Sequence, residues 1–248
     1  MAEPTLQPAW VLHRQAYGDS GFLVELLTAE TGRLTVVARG ARRKARGGSV
    51  VGLLQPFLPL LVAWSGRGEL KSLKRIEVAA AAVPLQGRAT FSALYINELL
   101  TRLLPRFDPM PELFALYGQV LEQLLDGEEA WVLRQFELCL LTELGYAQVL
   151  SVDYQGDAIE ALSHYRYLPG EGFSRQITAG GSRELSDSPD GLVSGGLLLE
   201  LDQALESERA PSPAGRKLLK TINRMAFDHL LGGRPLKSRE LMRAFLRG

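Results

Sequence analysis

The spacing of apolar residues changes near Thr90, and that change limits the architectures open to the chain. Before it, apolar residues come in short alternating runs such as Leu34-Thr35-Val36-Val37-Ala38. After it, Phe91, Leu94, Tyr95, Leu99 and Leu103 recur at helical spacing. A period of two buries one face of a strand, and a period of 3.6 buries one stripe of a helix, so one segment cannot satisfy both. The sequence therefore predicts an α+β chain, with a β domain over residues 1–80 and a mainly helical domain over 81–248.

Within the first domain, strands are expected at Trp10-Val11-Leu12, from Phe22 to Leu27, from Leu34 to Ala38, from Leu53 to Trp64 and from Glu69 to Ala80. Thr31-Gly32 and Gly66-Arg67-Gly68 supply turns. Pro56 and Pro59 place the fourth strand at an edge or a bulge, because proline cannot donate to a ladder. Five short strands in about 75 residues fit a small closed or half-closed barrel. An OB-fold and an SH3-like barrel both satisfy that count.

The most unusual stretch of this domain is Thr31 to Gly48. Its strand breaks at Gly40 into a loop of cations, and Arg33, Arg39, Arg42, Arg43, Lys44 and Arg46 give six positive charges. No Asp or Glu occurs from Thr31 to Gly68. A cationic loop on a small barrel is suited to a polyanion; a solvated loop without a partner has the same composition. The charge of the whole chain sums to zero but is segregated: residues 1–80 carry +5, 81–214 carry −12 and 215–248 carry +7. That asymmetry is consistent with polyanion contact at both basic ends, or with mutual neutralisation of the ends and the middle. Lys71, Lys74 and Arg75 extend the basic set along the fifth strand, where regular alternation would put Lys71 and Lys74 on opposite faces. Trp64, Phe57 and Phe22 are aromatic candidates for base stacking by position, with a core role as the alternative for each.

In the second domain, helices are expected from Thr90, over Glu112–Leu125 and over Glu128–Leu144, the last apolar on most sides. A hairpin is expected over Ala161–Arg175 and a mobile polar loop over Thr178–Asp190, both within a region spanning about 146–190. Helices over Leu197–Leu205 and Gly215–Leu231 follow. On the last, Arg216, Lys220 and Arg224 form a stripe at i, i+4 and i+8, either a second polyanion contact or the exterior of an ordinary amphipathic helix.

No enzyme signature is present. The chain has no phosphate-cradling loop, dinucleotide fingerprint or nucleophile elbow. Its histidines, His13, His164 and His229, are far apart. A single cysteine, Cys139, cannot supply a four-ligand zinc site or an internal disulfide, and fits a reducing compartment. No signal pattern and no run of eighteen apolar residues occurs, so the expectation is a cytoplasmic chain that does not span a membrane.

Six phrases in order carry a resemblance. They are Gly32-Arg33-Leu34 leading into Val37-Ala38-Arg39-Gly40-Ala41-Arg42; Leu54-Gln55-Pro56-Phe57; Gly66-Arg67-Gly68-Glu69; Tyr95-Ile96-Asn97-Glu98-Leu99-Leu100; Leu133-Arg134 with Phe136-Glu137-Leu138; and Lys237-Ser238-Arg239-Glu240-Leu241. In this order the chain resembles the RecO family of bacterial recombination mediators over nearly its whole length. The resemblance implies an N-terminal five-stranded OB-fold followed by a helical region with a small β-hairpin insertion. It implies a non-enzymatic DNA repair activity at the nucleoid, with no small-molecule substrate and no cofactor. Such proteins bind single- and double-stranded DNA, anneal complementary strands, and work with RecR to load RecA onto strands covered by single-stranded DNA-binding protein (SSB). Some members carry a four-cysteine zinc module after the third helix; Tyr146 to Gly180 contains no cysteine here, so no metal is expected.

On this reading the DNA contacts are Arg33, Arg39, Arg42, Arg43, Lys44, Arg46, Arg67, Lys71, Lys74, Lys237 and Arg239. The resemblance further gives Arg134 a place in a pocket for the acidic, aromatic-ended SSB tail, pairing with its terminal carboxylate. The local alternative is an intrahelical pair with Glu137 at i+3. A second class of function is an interaction adaptor whose basic loop meets an acidic protein surface. A hydrolase or nuclease is a third, without a recognisable site.

Overall fold

The computed structural model describes residues 5–41, 50–127, 129–176 and 191–246. Five strands form a closed barrel: β1 (Gln7–Tyr17), β2 (Gly21–Thr28), β3 (Gly32–Ala38), β4 (Leu60–Ser65) and β5 (Leu70–Val78). Their order around the barrel is β1-β2-β3-β5-β4, closed by antiparallel pairing of β4 with β1. The β3–β5 pair is parallel, with Val36 opposite Lys71 and Val37 opposite Ser72. This is the OB-fold connection, which resolves the choice between the two barrels that strand count left open.

Alternation explains the core. Leu34, Val36 and Ala38 of β3 meet Val24 and Leu26 of β2, Val11 of β1 and Leu60 and Val62 of β4 inside the barrel, all nearly inaccessible to water. Side chains on the other face of a pleated strand point away from that core. The expected fourth strand, Leu53 to Trp64, is shorter than its apolar run. Residues Val50–Gly52 form a 3-10 turn, pairing starts only at Leu60, and Phe57 takes a φ of 68°. Pro56 and Pro59 lack the N–H groups a continuous strand would need.

The barrel belongs to a compact unit of residues 1–129 and 236–248. Besides the strands it contains α1 (Gly87–Leu103), α2 (Pro111–Gln123) and a short C-terminal helix. Compactness thus divides the chain elsewhere than at residue 80. A buried polar chain fixes α1 and α2 to the barrel's outside. Asn97 Nδ2 donates to Leu12 O at 3.0 Å, Tyr117 Oη donates to Asn97 Oδ1 at 2.6 Å, and the Trp10 and Tyr117 rings meet edge-on at 5.4 Å. Burial pushes the Tyr117 phenol far above its ordinary pKa, so it stays a donor. Gly32 begins β3 with a φ of 74°, and a Cβ there would lie 2.0 Å from Asp108 O. Only glycine permits that close approach of the two backbones.

The second compact unit spans residues 130–235. It contains α3 (Glu129–Glu143, which begins at the unit's edge), a three-stranded sheet of β6 (His164–Leu168), β7 (Gly172–Gln176) and β8 (Val193–Ser194), then α4 (Gly195–Glu206) and α5 (Pro213–Leu230). The hairpin expected over Ala161–Arg175 is present as β6–β7, and β8 adds a third strand that two residues of sequence could not announce. Tyr165, Tyr167, Phe173, Leu198, Leu218 and Ile222 share its core. Ser194 and Ser212 cap α4 and α5, each accepting from a backbone N–H three residues on. The loop expected over Thr178–Asp190 lies outside the described residues.

The C-terminal helix α6 (Lys237–Phe245) was not expected from periodicity. Its N-terminus is capped by a carboxylate from α1. Glu98 accepts from the backbone N–H groups of Lys237 at 3.0 Å and Ser238 at 2.8 Å, and from Ser238 Oγ at 2.6 Å. Two of the six phrases, separated by about 140 residues, are therefore halves of one cap. Partial burial raises the Glu98 pKa, but the bonds from Ser238 and Lys237 and the nearby Arg102 outweigh it, so the carboxyl titrates below its usual value of 4.5. A pKa lowered by folding adds stability that is complete above the unfolded value and lost as pH falls through the folded one. We expect Glu98→Gln to cost about 1–2 kcal/mol at neutral pH in urea denaturation, as for a charge-assisted cap. The gap to the parent should close as pH falls below 4.5.

Candidate nucleic-acid interface

Of the basic stretch, Arg42, Arg43, Lys44 and Arg46 lie outside the described residues. Its flanks are well placed. Ala41 on one side and Leu54 on the other are buried in the barrel core. The 3-10 turn that follows is held by Arg14, whose Nη1 donates to Val51 O at 2.7 Å while its guanidinium lies 5.3 Å from the centre of the Phe22 ring. Both ends of the cationic stretch are thus fastened to one barrel. An isolated arginine in a strand belongs to no charge run, so the sequence carries no local signal for the role of Arg14.

Arg39 is exposed just past the end of β3. The parallel pairing of β3 with β5 ends at Val37 and Ser72, two residues before Arg39 and Lys74. Both cations therefore lie beyond the stretch over which β3 and β5 pair. Lys74 is also the extra residue of a bulge, since Ala63 faces Arg75 and Trp64 faces Leu73. The regular alternation assumed for β5 therefore does not hold, and Lys74 and Arg75 are both exposed. Arg75 is paired with Glu77, both partners about half exposed, which contributes little. Arg39, Arg67 and Lys74 form no ion pair among the described residues.

Other members of the predicted set are placed differently. Arg67 sits in the β4–β5 turn, toward the start of β5 and away from Arg39. Lys71 donates to Gly66 O at 3.1 Å and lies 4.9 Å from the Phe107 ring centre. Arg33 departs from the expectation. Its Nη1 meets Glu25 Oε2 at 2.9 Å, its Nε donates to Leu104 O at 3.0 Å, and its side chain is only 12% exposed. Thr35 Oγ1 and Arg106 Nη2 also reach Glu25, at 2.6 and 3.3 Å. With Nε and Nη1 engaged and its side chain largely buried, Arg33 is held by the fold, and we leave it out of the proposed DNA contacts. Lys237 is exposed at the start of α6, whereas the Arg239 guanidinium lies 5.5 Å from the centre of the Tyr95 ring on α1. Trp64 and Phe22 pack against the barrel core.

In the second unit, Arg134 Nη2 meets Glu137 Oε1 at 2.7 Å, the i+3 pair that spacing offered. Glu137 is 1% exposed and Arg134 12%. Asn223 Nδ2 of α5 donates to Glu137 Oε2 at 3.0 Å. Arg134 Nε and Asn223 Oδ1 are buried with no hydrogen-bond partner among the described residues. On α5, Arg216, Lys220 and Arg224 are exposed along one stripe, and Arg224 is 3.6 Å from Asp228.

Among the described residues, no group of three or more His, Cys, Asp or Glu could hold a metal ion, and no helix is long and apolar enough to cross a membrane. The donor set between Tyr146 and Gly180 does not fit a four-thiolate zinc module, having no cysteine.

The chain thus combines an OB-fold barrel bearing exposed cations with a helical unit that holds a small sheet. Family models agree. Residues 1–82 match the one described as "Recombination protein O N terminal", and residues 84–240 match "Recombination protein O C terminal". Similar proteins include "DNA repair protein RecO" of Actinobacillus succinogenes, 42% identical and aligned over 97% of this chain and 96% of that one. The protein of that name from Methylococcus capsulatus is 44% identical over 96% and 93% of the two chains, and that from Pseudomonas aeruginosa 41% over 97% and 96%. The chain belongs to the RecO family of DNA repair and recombination proteins.

Proposed function

We propose that the chain is a non-enzymatic recombination mediator of the cytoplasm and nucleoid. It binds single- and double-stranded DNA, anneals complementary strands, and with RecR helps load RecA onto SSB-coated single strands. The observation carrying the DNA-binding part is the run of cations anchored at both ends in the barrel, continued by exposed, unpaired Arg39 and Lys74. Guanidinium and ammonium groups neutralise phosphates and release counterions without regard to sequence. The proposed contacts are Arg39, Arg42, Arg43, Lys44, Arg46, Arg67, Lys71 and Lys74 on the barrel, with Lys237 and Arg239 on α6.

The SSB tail is assigned to Arg134. Its Nη2 is occupied by Glu137, while no hydrogen bond holds its Nε, and a guanidinium has further N–H donors with which to meet a terminal carboxylate. Residues 1–80 are proposed as the OB-fold nucleic-acid-binding domain and 81–248 as the helical domain.

The test is annealing of complementary oligonucleotides coated with SSB. We expect the parent chain to accelerate pairing, and a chain with Arg39, Arg42, Arg43, Lys44 and Arg46 replaced by Ala to lose most of that acceleration. Unchanged annealing would instead assign the loop to an acidic protein partner.

A further inference from the structure

A cleft of about 510 Å³ opens between the segment from Gly145 to Gly156 and the β6–β7 hairpin, all within the second unit. Its walls are held from both sides. Tyr154 N donates to Phe173 O at 2.8 Å, Val152 and Ala158 form an isolated bridge, and Asp153 Oδ1 accepts from the N–H groups of Gln155 and Asp157 at 2.9 and 3.0 Å.

Three features of the lining point one way. First, Tyr146 and Tyr154 are 37% and 49% exposed at the cleft, and Val149 beside them is 55% exposed. Clustered apolar surface that folding leaves in water marks an interaction site more often than scattered residues do. Second, the charged lining residues are Asp153 and Glu171; no Lys, Arg or His lines the cleft, and neither carboxylate forms an ion pair among the described residues. Third, Tyr167 is 7% exposed and its hydroxyl is buried without a hydrogen-bond partner. Gln148 lies beside it but donates its amide to Tyr146 O at 2.8 Å, and no bond to the Tyr167 hydroxyl meets ordinary geometry. Burial pushes that phenol up to about 12, so it stays neutral and both donates and accepts. A buried hydroxyl left unpaired is unfavourable, and a ligand hydrogen bond would relieve it.

We infer that this cleft receives an arginine or lysine side chain from a basic segment of a protein partner. Tyrosine faces attract a cation through the ring quadrupole. Glu171 and Asp153 supply the countercharge, and the Tyr167 oxygen accepts one N–H. A nucleic acid is the wrong ligand electrostatically. Its phosphates would approach two carboxylates without a lining cation, in the part of the sequence that carries −12.

The experiment uses the full chain with selectively labelled tyrosines and follows their NMR signals. It is titrated with a blocked glycine-arginine-glycine peptide, with the same peptide carrying neutral citrulline, and with a mononucleotide. Saturable shifts of Tyr146 and Tyr154 with the arginine peptide only are expected. Glu171→Gln and Tyr154→Ala should each weaken binding about fivefold or more, near 1 kcal/mol. Tyr167→Phe, which keeps the ring in the core, should weaken it without lowering the melting temperature. Absence of saturation, equal binding of the citrulline peptide, or preference for the mononucleotide would each overturn the inference.

Discussion

Arg134→Ala is expected to destabilise the chain by about 3 kcal/mol, the cost of leaving a buried charge without its partner. The residue left behind is the reason. Glu137 is 1% exposed, and its hydrogen-bond partner on α5, Asn223, is neutral and itself buried. Removing both charges should restore the balance. Arg134→Met combined with Glu137→Gln should recover most of the loss in urea denaturation, since glutamine still accepts from Asn223. If the single variant is as stable as the parent, the pair carries no structural burden.

The same arginine separates fold from recognition. Arg134→Lys retains a countercharge for Glu137 but lacks the planar fork that matches a carboxylate. It should fold nearly as well as the parent and bind an acidic, aromatic-ended tail peptide about tenfold more weakly. Unaltered affinity for that peptide would leave Arg134 as a purely internal cation.

The larger effect is expected at the barrel. On single strands, log K falls with log salt by about 0.7 for each phosphate neutralised. The five contacts from Arg39, Arg42, Arg43, Lys44 and Arg46 contribute about −3.5 to that slope. At an ionic strength of about 0.15 M the same contacts account for roughly a thousandfold in affinity. Arg33 is excluded from this sum because Glu25 and Leu104 O already hold it. Arg33→Ala should instead act on stability, leaving Glu25 with Thr35 and the half-exposed Arg106.

What could be read in the sequence follows the range of the interactions. The alternation of Leu34, Val36 and Ala38 and the helical spacing after Thr90 are local, and they indicated the barrel and α1. The Arg134–Glu137 pair is also local, three residues apart on one helix. By contrast, Arg33 looks like its neighbours in a charge run, and only the fold brings it to Leu104 O, 71 residues away. The Glu98 cap spans about 140 residues and leaves no local periodic signal, so α6 went unanticipated. The bulge at Lys74 is a property of pairing between strands, which the sequence of β5 by itself does not encode. The fourth strand was overestimated because hydrophobicity persists through Leu53–Trp64 while two prolines remove the ladder donors.

The decisive measurement is the affinity of the full chain for a short single strand across a series of salt concentrations, for the parent and for the chain with those five side chains changed to Ala. The account predicts a variant line shallower than the parent's by about 3.5 in slope, with lower affinity throughout. Two parallel lines of equal affinity would contradict it.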